Sequence, residues 1–142
     1  VPKEKITPVE KRQSEVSEKR LVLIIETDIY TRQLMAFFLE EAGYTVDFAD
    51  DGYTALDRIR LSQPALLITD ILLPHLDGLS LCRLLKADPV TGGVPILVCT
   101  FLNEEARARE SGADAFMKKP LEKNKLLEIV NSTQSKSAQE IL

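Results

Sequence analysis

Four residues of this chain, Glu26, Asp70, Thr100 and Lys119, stand at or just past the ends of apolar runs that read as buried strands. Leu21–Ile25 leads into Glu26-Thr27-Asp28, and Ala65–Thr69 leads into Asp70. Pro95–Cys99 leads into Thr100, and Ala113–Met117 leads into Lys118-Lys119-Pro120. An acid, a second acid, a hydroxyl and an amine at successive strand ends make one constellation, and its chemistry is that of a phosphoryl group. Asp70 is the most informative member. A loop containing Pro74 and Gly78 follows it, and open α/β sheets keep their sites beyond the carboxyl ends of their strands.

The elements that must position these residues alternate between strand and helix. After the first strand, the spacing predicts a helix over 29–42 with Leu34, Phe37, Phe38 and Ala42 inward and Gly43 as its C-terminal stop. Thr45 to Phe48 is a short strand, and Asp51-Gly52 turns the chain into a helix over 53–62 that presents Ala55, Leu56 and Ile59 before Pro64. A third helix is predicted over 79–87, closed by Asp88-Pro89, and a short charged one over 103–111 with Ala106 and Ala108 as its apolar contacts. A last helix is predicted over 121–131 with Leu126, Leu127 and Val130 inward.

These units imply an α/β fold, a doubly wound parallel sheet of five strands with five helices on its two faces. The flavodoxin-like order 2-1-3-4-5 is one common solution. In that order Glu26 and Asp70 meet on neighbouring strands, and Thr100 and Lys119 approach from the other side. The domain is predicted to span 21–131. Residues 1–20 read as a charged linker or N-terminal extension in which Ile6, Val9 and Val16 could mark a short helix or the end of a coiled coil. The polar residues 132–142 are predicted to be a fraying C-terminal tail.

Composition narrows the function classes. With 142 residues, 44% apolar and 28% charged, the chain is a single domain with a core of ordinary make-up. It lacks an apolar stretch long enough to span a bilayer and shows no signal peptide. The start at Val1 rather than Met leads us to expect processing or excision from a longer protein. A net charge of −4 argues against direct nucleic-acid binding by this segment. Cys82 and Cys99 lack metal-site spacing and read as buried free thiols, which fits a reducing cytoplasm. His75, the only histidine, reads as a surface loop residue with no partner for a metal set or a hydrolytic triad. Gly92-Gly93 is a turn, no nucleotide-binding glycine loop is present, and the charges of 104–110 read as a salt-bridged helix face.

From about Leu21 to Asn131 the chain resembles a response-regulator receiver domain, similar to the bacterial chemotaxis response regulator. The resemblance implies that Asp70 is the phosphoacceptor and that Thr100 and Lys119 stabilise the transferred group. Pro74 and Gly78 match the loop after the acceptor, and Thr100 and Phe116 match the switch positions. It also implies a Mg²⁺ ion held by Glu26, Asp70 and the backbone carbonyl of Leu72. Here the sequence departs from the family, because Thr27 replaces the usual second acid and the cation should bind weakly or be absent. Asp28 is adjacent but leaves the strand end in another direction.

Phe101 follows Thr100 where the family has a small residue, and it would crowd a phosphodonor. Leu72 and Leu102 are apolar where a polar group could orient water, so the phosphoryl group should hydrolyse slowly. The fourth helix is about one turn short, which changes a face that the family uses for output. The resemblance implies a cytoplasmic phosphorelay receiver, with no enzymatic activity beyond self-phosphorylation and slow self-dephosphorylation. Its partners would be a histidine kinase or phosphotransfer protein and a downstream protein or linked output domain. Similar proteins also form homodimers. The alternative is a degenerate receiver that serves as a phosphorylation-independent interaction module, for which Thr27, Phe101 and the short helix speak.

Overall fold

The computed structural model describes residues 20–141, with side chains described through Ser135. The predicted linker, apart from Arg20, lies outside the described residues. The elements are β1 (Leu21–Ile25), α1 (Ile29–Glu41), β2 (Thr45–Phe48), α2 (Gly52–Leu61), β3 (Leu66–Thr69) and α3 (Gly78–Ala87), then β4 (Ile96–Thr100), α4 (Glu105–Glu110), β5 (Ala115–Lys118) and α5 (Lys123–Ile141). All strand pairs are parallel, and the sheet order is β2-β1-β3-β4-β5. This is the doubly wound, flavodoxin-like arrangement that the sequence implies.

Alternation along the strands explains the two cores. Val22 and Ile24 of β1 join Leu66 and Ile68 of β3 and Leu97 and Cys99 of β4 on one face, against Met35 and Leu39 of α1 and Leu126 and Val130 of α5. Leu23, Ile25, Leu67, Ile96 and Val98 point to the other face, against Ala55, Leu56 and Ile59 of α2, Leu81 and Leu85 of α3 and Ala108 of α4. Because both faces are covered, β1, β3 and β4 read as continuous apolar runs. Each fully buried leucine or isoleucine contributes roughly 1.5–3 kcal/mol relative to exposure. Cys82 and Cys99 are both buried free thiols, and burial pushes each up to about 12.

Aspartates start the first three helices. Asp28, Asp51 and Asp77 accept hydrogen bonds from the backbone N–H of Thr31 (3.0 Å), Thr54 (2.8 Å) and Ser80 (2.9 Å). Each thereby satisfies a donor that the first helical turn leaves free. Gly43, at φ +95°, ends α1 in a conformation that costs a residue with a Cβ considerable strain.

Three helix expectations need correction. The buried residues of α1 are Met35, Ala36 and Leu39, whereas Leu34 and Phe37 are 42% and 60% exposed, Phe38 is half-buried and Ala42 is exposed. Residues 34–39 are apolar all round the helix, so the stripe 34/37/38 and the stripe 35/36/39 have equal periodicity and only packing chooses between them. The last helix does not stop near 131 but continues through Ile141. No proline or glycine follows residue 120 to stop it. One side chain also fastens its middle, as Gln134 Nε2 donates to the Ala65 carbonyl (2.9 Å). In α4, Ala108 is buried and Ala106 exposed, so a single alanine holds this six-residue helix to the core.

Candidate functional site

Four neighbouring strands end at one edge of the sheet, and their registers bring the four singled-out residues into one pocket. Glu26 directly follows β1, Asp70 follows β3, Thr100 ends β4 and Lys119 follows β5. The pairing of Ile25 with Thr69 sets Glu26 beside Asp70, and that of Thr100 with Lys118 sets Lys119 next to them. A backbone hydrogen bond from Lys119 N–H to the Thr100 carbonyl (2.8 Å) fixes that last step. All four residues are buried, the most accessible being Asp70 at 8%.

The centre of the pocket is an ion triad. Lys119 Nζ donates to Glu26 Oε1 (2.7 Å), Glu26 Oε2 (2.9 Å) and Asp70 Oδ2 (2.8 Å). An ammonium has three N–H donors, and all are engaged. Asp70 Oδ1 accepts from the backbone N–H of Ile71 (2.6 Å) and Leu72 (3.3 Å). Thr100 Oγ1 accepts from the Leu102 N–H at 3.3 Å, so its hydroxyl proton stays available.

Gly78 supports this arrangement from behind. A Cβ there would lie 2.0 Å from the Asp70 carbonyl oxygen, so α3 approaches the acid only because residue 78 is glycine. Sequence reading had placed Gly78 only in the loop after Asp70. Its signal is a glycine immediately after the capping Asp77.

Burial and charge act in opposite directions here. Burial raises the Glu26 carboxyl above its ordinary range, and its bonds to Lys119 only partly counter that. Burial alone would lower the Lys119 ammonium, but the bonds to Asp70 and Glu26 outweigh it and hold the group above its usual value. Two carboxylates and one ammonium leave the ionised triad with a net negative charge.

The first strand's other candidates do not join the triad. Thr27 is exposed. Asp28 Oδ2 accepts from both Thr31 N–H (3.0 Å) and Thr31 Oγ1 (2.6 Å), and these bonds lower its pKa. The spacing Asp-x-x-Thr is an N-cap signal that assigns Asp28 to helix α1 from sequence alone. Among the described residues, no group of three or more His, Cys, Asp or Glu side chains is placed to hold a metal ion. The donor chemistry nevertheless fits a hard cation, since carboxylates from two strands already converge on one positive charge.

Around the mouth, Leu72 and Phe101 are 62% and 63% exposed, and Leu102 is half-buried. The Phe101 ring centroid lies 5.5 Å from Lys119 Nζ. Phe116 is half-buried against the core face that α3 and α4 cover. His75 is exposed, with φ 69°. None of the described helices is long and apolar enough to cross a membrane.

The family model described as the response regulator receiver domain matches residues 22–131. The response regulator MprA of Mycobacterium avium is 36% identical over 110 residues, covering 75% of this chain and 47% of that protein. The chain thus spans about half the length of the curated relatives it matches. Among solved structures, a putative response regulator from Chloroflexus aurantiacus superposes with a TM-score of 0.78 at 32% identity, covering 82% of this chain and 98% of that one. The signal receiver domain of a signal transduction histidine kinase from Syntrophus aciditrophicus gives 0.75 at 33% identity, with 81% and 89% covered.

Proposed function

This chain belongs to the response regulator receiver domain family, and from that premise we propose that Asp70 accepts a phosphoryl group from a phosphohistidine. Such receivers are signal transducers of two-component systems rather than enzymes in general, and they act between a kinase and an output. The observation that carries the site assignment is the single ammonium of Lys119, bonded at once to Glu26 and to Asp70.

In the transfer, an Asp70 carboxylate oxygen bonds to phosphorus as the phosphorus–nitrogen bond of the donor breaks. The imidazole leaves with the electron pair, and an aspartyl phosphate results. Lys119 turns from the carboxylates to the phosphoryl oxygens, whose charge it offsets. Thr100 donates its hydroxyl to a phosphoryl oxygen and draws its loop inward, while the half-buried Phe116 on the adjacent strand follows. Receiver domains typically bind Mg²⁺ at this acidic pocket. Here Glu26, Asp70 and the backbone carbonyl of Leu72 would hold it, and the ion would supply positive charge against the incoming anion. With Thr27 exposed and Asp28 bound to Thr31, the cation would meet two carboxylates, so its binding would be weak.

The protein partners follow from the same chemistry: a histidine kinase or phosphotransfer protein as donor, and a downstream protein or linked domain as reader. The complete set of Asp70, Thr100 and Lys119 supports this reading over a phosphorylation-independent module. Leu72 and Leu102 are apolar where a polar side chain could orient water, so the phosphoryl group should persist for minutes rather than seconds. Amide NMR with beryllofluoride, a phosphoryl mimic, tests the assignment. Mg²⁺-dependent shifts at Asp70, Thr100 and Lys119 that vanish in Asp70→Asn are expected. An unmoved spectrum at millimolar Mg²⁺ would contradict it.

A further inference from the structure

Phe101 makes a contact that the transfer reaction does not use. It is exposed, it follows Thr100 directly, and its ring lies within cation–π range of an ammonium that is itself buried. Lys119 has all three protons committed to Glu26 and Asp70, so the ring adds no hydrogen-bond partner. What it adds is a quadrupole and a cover at the mouth, both of which favour the ammonium where it now sits.

We propose that Phe101 is a positioning residue for Lys119, holding the ammonium on Glu26 and Asp70 in the unmodified protein and so slowing phosphoryl uptake from small donors. The inference rests on Asp70 being the acceptor. Uptake requires Lys119 to turn toward the incoming group, and the ring opposes that turn. A small acyl phosphate brings no contacts that could move the ring, whereas a protein donor covers the whole mouth. With acetyl phosphate the balance is simple: an Asp70 oxygen bonds to phosphorus, the bond from phosphorus to the acetyl oxygen breaks, and acetate leaves with the electron pair.

The test compares wild type with Phe101→Tyr, Phe101→Leu, Phe101→Ala and Asp70→Asn. Phosphoryl uptake from acetyl phosphate is followed by intact mass at saturating Mg²⁺, and the Lys119 ammonium signal is followed by side-chain NMR in the unmodified proteins. Leucine keeps the apolar bulk and loses the ring, and tyrosine restores the ring. Leucine and alanine should each speed uptake about tenfold, equivalent to about 1.4 kcal/mol and within the span of a partly desolvated cation–π contact. Tyrosine should match wild type. The Lys119 signal should move in the leucine variant and stay in the tyrosine variant, as a ring current requires.

Equal rates across the Phe101 series, or a leucine variant that keeps the wild-type rate, would overturn the proposal while leaving Asp70 as acceptor. Absence of label on every protein that retains Asp70 would instead overturn the acceptor assignment, and this inference with it.

Discussion

The two sides of the pocket are built differently. On the β3–β4–β5 side, Asp70, Thr100 and Lys119 are buried at strand ends whose positions the sheet register fixes. On the β1–α1 side only Glu26 faces inward, while Thr27 is exposed and Asp28 caps a helix. The first side would handle the anion, and Glu26 of the second would join Asp70 and the Leu72 carbonyl at the cation. The β1 end can therefore lack an acid while Asp70, Thr100 and Lys119 keep their places, because other strands carry them.

The first side carries the largest expected effect. Asp70→Asn should abolish phosphoryl uptake outright, read by intact mass, while the fold remains intact by circular dichroism. Uptake that survives would move the acceptor elsewhere.

Lys119→Met is expected to be nearly as severe for uptake. It also leaves two carboxylates facing each other in a buried pocket, which should lower stability in denaturant melts by about 3 kcal/mol, the low end for breaking a buried ion pair. The same variant should bind Mg²⁺ more tightly, because the ammonium no longer occupies the oxygens. A Mg²⁺ affinity that falls would mean that Lys119 supports the cation instead of competing with it.

Thr27→Asp sharpens the comparison from the weak side. A carboxylate a few ångströms from a divalent ion near the surface should tighten Mg²⁺ about tenfold, equivalent to about 1.4 kcal/mol. Isothermal titration or Mg²⁺-dependent amide shifts would read it. An unchanged affinity would mean that position 27 does not face the cation.

Asp28→Ala should have the smallest effect, a modest loss of thermal stability at neutral pH with Mg²⁺ affinity unchanged. The Asp28 pKa is lowered in the folded protein by its bonds to Thr31. Its contribution is therefore present above the ordinary carboxylate value and lost as the pH falls through the folded one. The gap between wild type and variant should close in acid. A change in Mg²⁺ affinity would return Asp28 to the metal set.

Much of this was legible in the chain itself. Buried parallel strands read as unbroken apolar runs, so the residues that end them, Glu26, Asp70, Thr100 and Lys119, stood out by position. The inward face of α1 was not legible, because Leu34 to Leu39 are apolar in every direction and only contact with the sheet selects Met35 and Leu39. The continuation of α5 was hidden by its polar composition, since its bond Gln134–Ala65 depends on a neighbour far along the chain. Phe101 was legible as an obstacle but not as a cover on Lys119, because no periodicity fixes where a loop side chain turns.

The most direct measurement of the central claim is phosphoryl uptake by intact mass across a Mg²⁺ titration, with wild type, Thr27→Asp and Asp70→Asn in parallel. The expected result is one phosphoryl group on wild type, reached at higher Mg²⁺ than Thr27→Asp requires, and none on Asp70→Asn. Wild type that stays unlabelled at every Mg²⁺ concentration, or label that persists in Asp70→Asn, would contradict it.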